Sequence, residues 1–166
     1  MTPRFLRVTV RGDSVHSSFL GPRATTPNAG FMTLTYLRAQ LVRVLTEYLG
    51  SDDRRIEHAL RVLFHAEHIS GSHPGCDADV VIAAALLHDV GIKVSEAKHG
   101  HSTGATQEEY GPPVAQELLD SIGFPPDKTR IVRDIIGNHH SPSRFDYPEL
   151  AVLKEADQIV NRDERI

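Results

Sequence analysis

The sequence predicts an all-α protein: a compact bundle of about six helices over residues 32–166, preceded over residues 1–31 by an irregular extension that is poorly ordered or loosely docked. Three observations carry this expectation. From Thr33 onward, apolar residues recur at three- and four-residue steps, the spacing that lines one face of an α-helix. Pro, Gly and Ser-Asp clusters interrupt these stretches at intervals suited to helices of ordinary length. No βαβ alternation, internal repeat or low-complexity tract competes with that pattern.

In residues 11–30, Gly, Ser, Thr, Pro and Asn mix without a lasting period, and only residues 5–10 (FLRVTV) alternate enough to suggest a short strand. Met32 opens the patterned region, so a native start there is an alternative to Met1. Leu34, Leu37, Leu41, Val44 and Tyr48 mark the first helix, which Gly50 stops. Ser51, Asp52 and Asp53 offer N-caps for a second helix that carries Ile56, Leu60 and Leu63 and runs to about Ser70. After a loop at 71–75, Asp77 and Asp79 fall in the first turn of a third helix, where carboxylates suit the dipole. That helix, VVIAAALLHD, is apolar almost all round and therefore central; Gly91 is read as its end. Residues 91–108 read as a long polar connection, of the kind that is more often functional than idle. Pro112-Pro113 then start a helix with Val114, Leu118, Leu119 and Ile122 inward, and Pro125-Pro126 start another carrying Ile131, Val132, Ile135 and Ile136. Pro148 opens the last, with Leu150, Leu153 and Val160.

Composition narrows the function classes. A chain of 166 residues, 40 % hydrophobic and 24 % charged, has enough apolar material for one core. Its formal net charge of −4 leaves no electrostatic footprint for nucleic acid or an anionic membrane. A single cysteine, Cys76, excludes an intrachain disulfide, and with no secretory or membrane-spanning run the cytoplasm is the expected compartment. Histidine stands out: 10 residues, nine of them between positions 58 and 140. Imidazole is the commonest protein ligand of transition metals.

Several ionisable residues fall on apolar rows. His58 precedes Val62 by four residues; His88 follows Ala84 by four on a helix with scarcely any polar face, and Asp89 adjoins it. Asp157 lies four after Leu153 and three before Val160, inside the last helix's stripe. His139 continues the Ile131-Ile135 row and His140 the Val132-Ile136 row. Buried carboxylates are costly unless paired or metal-bound, so one divalent cation held by His58, His88, Asp89 and Asp157 would account for all four. Imidazole with carboxylate suits Mn, Fe, Co, Ni or Zn better than calcium. Taken singly, each residue has a structural explanation: His88 at a helix end, Asp157 paired with Lys154 or Arg162, the His139-His140 pair a polar terminus. His65 lies roughly 10 Å along the helix from His58, too far to share its metal, and His68 and Cys76 read as bystanders.

His58 in RIEHALRV, His88-Asp89 in ALLHDVG and Asp157 in KEADQIVN, in that order on successive helices, resemble the HD-domain superfamily of metal-dependent phosphohydrolases. The resemblance covers about residues 33–162. The HD dipeptide alone is weak; the ordered set is specific. It implies an all-helical fold and metal-activated water attacking a phosphate monoester or diester, nucleotides among them. By position, His58, His88, Asp89 and Asp157 would hold the first metal. His139 and His140, in IIGNHHSP, resemble part of a second site, with Asp89 bridging. The family's usual earlier histidine is replaced in TQEEYGPP by Gln107 or Glu108, and Glu108 is the expected ligand there. Lys93, in HDVGIK, stands one place later than the family's usual lysine. Lys93 and His101, beside Asp89, are the expected catalytic groups, with Arg144 a further phosphate contact and His99 a solvent-exposed loop residue. The expected partners are a small phosphorylated substrate and a second copy in a homodimer. A metal-binding or sensor domain without turnover, a diiron oxygenase-type centre and a purely structural bundle are the rival readings.

Overall fold

The computed structural model describes residues 33–164 and contains, among them, seven helices and no strand. They are α1 (Leu34–Leu49), α2 (Asp53–Ser70), α3 (Ala78–Leu87), α4 (Gly91–His99), α5 (Gly104–Ser121), α6 (Pro126–Ile136) and α7 (Pro148–Asp163). The extension over 1–31 and the short strand expected at residues 5–10 lie outside the described residues.

α3 is the axis of the bundle. Every residue from Val80 to Leu87 is buried, because α1, α2, α6 and α7 pack around it. Burying each Val, Leu or Ile contributes about 1.5–3 kcal/mol, so this helix alone carries a large share of the hydrophobic driving force. Its N-terminus is pinned by charge. The Asp77 side chain accepts from the Asp79 and Val80 amides, the Asp77 amide donates to Glu149 Oε1 at 2.6 Å, and Lys128 from α6 binds both Asp77 and Asp79. A rigid central helix fixed at one end delivers its other end, His88-Asp89, to a defined place inside the bundle.

On α2 the inward row is His58, Val62 and Ala66 with Ala59 and Leu63, whereas Leu60 is 41 % exposed and Ile56 only half-buried. The expected stripe through Ile56 and Leu60 is therefore rotated, and His58 itself occupies a core-facing position. On α7 the inward row holds Leu153, Ala156, Asp157 and Val160, as the spacing predicts.

The stretch 91–108 is not a long loop. It contains α4 and the first turn of α5, which raises the expected six helices to seven. Gly91 does not act as a stop; it permits contact. A Cβ there would lie 2.6 Å from the Gln107 carbonyl oxygen and 2.7 Å from the Gly111 nitrogen, so the start of α4 lies directly against the α5 backbone. α3 itself ends at Leu87 in a turn over 88–90, and α4 is closed by Gly100, left-handed at φ 75°, whose amide closes on Glu96. Thr103 then caps α5 through a reciprocal box with Thr106. Pro112 and Pro113 lie inside α5, not at its start: they remove two ladder donors, while the buried Gly111, Ala115 and Leu119 row holds the helix in place. α6 ends at Ile136, so His139 and His140 sit in a turn beyond it and not on its helical rows. No helix among the described residues is long and apolar enough to cross a membrane.

Gly91→Ala should force α4 from α5 and cost about 1–3 kcal/mol, as overpacked cores do. Urea unfolding should show this as a lower midpoint at an unchanged slope.

Candidate metal centre

Six side chains from four parts of the fold converge: His58 from α2, His88 and Asp89 from the turn after α3, His139 and His140 from the turn after α6, and Asp157 from α7. His58, His88 and Asp157 form one group whose donor atoms lie within 4.8 Å of one another, and Asp89, His139 and His140 form a second. His58 Nε2 is 3.2 Å from Asp157 Oδ1 and 3.8 Å from Asp89 Oδ2, while His88 Nε2 is 3.5 Å from Asp89 Oδ2 and 3.6 Å from Asp157 Oδ1. His139 Nε2 faces the other oxygen of the same carboxylate, Asp89 Oδ1, at 3.8 Å. Metal–nitrogen and metal–oxygen bonds of about 2.0–2.2 Å separate neighbouring ligands by roughly 3–3.6 Å, so these gaps are near those of a coordination shell.

Backbone acceptors orient the imidazoles. His88 Nδ1 donates to the Ala85 carbonyl at 2.9 Å and His139 Nδ1 to the Ile136 carbonyl at 2.7 Å, each turning Nε2 towards the converging carboxylates. Both Nε2 atoms are fully buried and have no hydrogen-bond partner. A buried polar nitrogen without a partner is unusual enough to need an explanation, and a metal ion provides it. The donor set fits a divalent transition metal. His58 Nδ1 lies 3.0 Å from Glu164 Oε1, the outer carboxylate that commonly fixes a ligating imidazole.

The electrostatics have the same cause. Burial alone would lower the His88 pKa, but the Asp89 and Asp157 carboxylates outweigh it and raise the value to about 9. Burial would raise Asp89, yet His88, His139 and His58 bring it down to about 2, and His58 and His88 likewise depress Asp157. His140 moves the other way, lowered by burial and by neighbouring His139.

The HD domain family matches residues 55–162 of the chain, a span that takes in all six residues. The chain belongs to the HD-domain family. Among solved structures it is similar to a predicted HD superfamily hydrolase from an uncultured Thermotogales bacterium, at 28 % identity and a TM-score of 0.57. That match covers 73 % of this chain, and the chain spans 66 % of the length of the other.

The remaining residues expected in this HD centre are placed differently. Lys93 is exposed and donates to the Tyr48 carbonyl at 2.5 Å, beside the Tyr48 ring. His101 is exposed, its Nδ1 3.0 Å from the His99 carbonyl. Neither is hydrogen-bonded or ion-paired to the six converging groups: Lys93 rides on α4, and His101 lies in the bend between α4 and α5. Arg144 folds back onto its own turn, its amide donating to Asn138 Oδ1 and its guanidinium to the Gly137 carbonyl. Glu108, expected as a ligand, has both oxygens committed: Oε1 accepts from the His140 and Ser141 amides and Oε2 from the Ser141 hydroxyl. Gln107 reaches His140 instead, with Oε1 2.5 Å from Nε2.

Sequence reasoning overlooked Glu164 and the α7 wall. A cavity of about 440 Å³ opens beside the centre, lined by His139, His140, Asp157 and, from α7, Lys154, Gln158, Asn161 and Arg162. A signal existed: Lys154, Asp157, Gln158, Asn161 and Arg162 recur at three- and four-residue steps, and Glu164 follows Asp157 by seven.

Removing the outer carboxylate in Glu164→Gln should weaken metal affinity about 10–100-fold, read by competition with a chromogenic chelator. In metal-free protein the His88 ion pair contributes stability below the ordinary imidazole pKa of 6.5 and loses it as pH rises through about 9. The carboxylates contribute above the ordinary 3.8, and Asp89 loses its share as pH falls through about 2. Metal binding at pH 7 should therefore expel protons, and calorimetry in buffers of differing ionisation enthalpy should record at least about one per ion.

Proposed function

We propose that this chain is a metal-dependent hydrolase of phosphate esters, with two metal positions bridged by Asp89. One observation supports the reading above others. The Asp89 carboxylate turns Oδ2 towards His58 and His88 and Oδ1 towards His139, so its two oxygens address two adjacent donor groups. His58, His88 and Asp157 would hold one ion; His139 and His140 would hold the other. Bound there, divalent ions such as Mn, Fe, Co, Ni or Zn supply Lewis acidity to a phosphoryl oxygen and lower the pKa of water.

The chain's own contribution is substrate placement. Lys154 and Arg162 stand on the cavity wall without a carboxylate partner among the described residues; the Lys154 ammonium rests on the Ser141 carbonyl at 2.6 Å and the Ser143 hydroxyl at 2.9 Å. Two uncompensated cations beside the centre favour a substrate that carries negative charge. They would hold the phosphate oxygens that do not react, while the Gln158 and Asn161 amides hydrogen-bond the rest of the molecule. The cavity's volume lies in the range that encloses small metabolites, nucleotides included.

A panel of phosphomonoesters, phosphodiesters and nucleotides, run with Mn²⁺, Co²⁺, Ni²⁺ and Fe²⁺, should show turnover that EDTA abolishes and metal restores. Asp157→Ala should be inactive. Lys154→Ala and Arg162→Ala should each lose roughly tenfold to a hundredfold in kcat/KM, the weight of one charge-assisted hydrogen bond. Metal uptake without cleavage of any ester would refute the hydrolase reading and favour a sensor or oxygenase-type centre.

A further inference from the structure

His139 and His140 are neighbours in sequence, yet both rings serve the same donor group with Asp89. On an extended chain, successive side chains point to opposite sides. Here the ring centroids are only 3.9 Å apart, tilted by 42°, so the backbone must curl to present both on one side. No helix enforces that curl, because α6 ends at Ile136 and residues 137–147 carry no regular structure.

What holds the turn is a set of side chains from elsewhere. Buried Asn138 closes it from within, Nδ2 donating to the Pro142 carbonyl and Oδ1 accepting from the Arg144 amide. From α5, Glu108 receives three donors at once: the His140 amide at 2.9 Å, the Ser141 amide at 2.7 Å and the Ser141 hydroxyl at 2.5 Å. The α5 backbone approaches closely enough for this because residue 104 is glycine; a Cβ there would lie 3.0 Å from the His140 Cβ and Cγ. Gln107, one residue before Glu108, engages His140 Nε2 and limits its ring to one setting.

We propose that Glu108 is a positioning residue of the metal centre: by gathering the His140 and Ser141 donors it curls the His139–His140 turn and so completes the Asp89, His139 and His140 half. The proposal rests on the bimetallic reading only for its consequence. The curl itself is a property of the metal-free chain. Positioning and direct ligation differ in what a glutamine does at this position. Glutamine keeps the oxygen that accepts the two amides, so it preserves the curl; as a metal ligand it is far poorer than a carboxylate.

The test compares wild type, Glu108→Gln and Glu108→Ala in two arms. In metal-free protein, amide exchange at His140 and Ser141 should accelerate at least tenfold in Glu108→Ala. The imidazole ¹⁵N resonances of His139 and His140 should shift while those of His58 and His88 stay. Glu108→Gln should remain near wild type in both. In the second arm, titration with Co²⁺ followed by its visible absorption should show a first equivalent unchanged in all three proteins. The second equivalent should weaken at least tenfold in Glu108→Ala and recover substantially in Glu108→Gln. A glutamine variant as defective as the alanine one would overturn positioning in favour of ligation. Unchanged exchange and resonances in Glu108→Ala would overturn it altogether. A wild-type protein that takes up a single Co²⁺ would sink the bimetallic reading, and the metal-free arm would still decide the role of Glu108.

Discussion

The arrangement depends on one electrostatic constraint: two carboxylates and three imidazole nitrogens are turned inward where helices meet, and a cation is what reconciles them. An unpaired buried charge costs several kcal/mol even after relaxation. Without a metal the protein compensates by protonating His88, which accounts for a raised imidazole beside depressed aspartates. That compensation is partial, since the Nε2 atoms of His88 and His139 remain without partners. The apolar packing of α3 is what makes the constraint unavoidable. With every residue from Val80 to Leu87 buried, its C-terminal end cannot swing His88 into solvent without dismantling the core.

The parts of this design that were legible in the sequence are those carried by long apolar rows. His58, His88 and Asp157 each interrupt such a row at helical spacing, and each is found buried. Apart from the α7 wall and Glu164, what escaped was carried by features with no periodic signal. α4 is polar, short and opened by a glycine, so its residues resemble a loop; it is helical because α5 packs against it through Gly91. Lys93, on α4, and His101, in the bend after it, each make contacts away from the converging groups. Glu108 was read as a ligand from its place in the family pattern; its partners in the structure are two backbone amides and a hydroxyl 32 and 33 residues away, which no local pattern encodes. Glu164 lay seven residues beyond Asp157, and only its contact with His58 on α2 reveals its role.

Glycines tie the helical packing to the chemistry. A Cβ on Gly111 would meet Ile136 Cγ2 at 2.6 Å, and one on Gly104 would press on the His140 ring, so α5 approaches α6 and the turn beyond it as closely as backbone allows. Together with the Gly91 contact, this makes α5 a brace between the end of α3 and the end of α6, the two places that supply Asp89 and the His139-His140 pair. Side chains at these positions would press on the elements that carry the two donor groups, where placement matters at about 0.5 Å. Metal affinity depends on ligand placement at that scale.

The two halves of the centre are therefore built to different standards of rigidity. His58, His88 and Asp157 come from helices or helix ends packed in the core, and all three are buried. Their geometry is set before any metal arrives, so little ordering remains to be done on binding. His139 and His140 come from a turn held by Asn138, Glu108 and a lysine, with His140 exposed. The turn is already curled in the metal-free chain, but on the proposed reading its ion would be the more exposed of the two. If two ions bind as proposed, the one at His58, His88 and Asp157 would sit among buried ligands. The second would complete the centre beside the cavity that His139, His140 and Lys154 line.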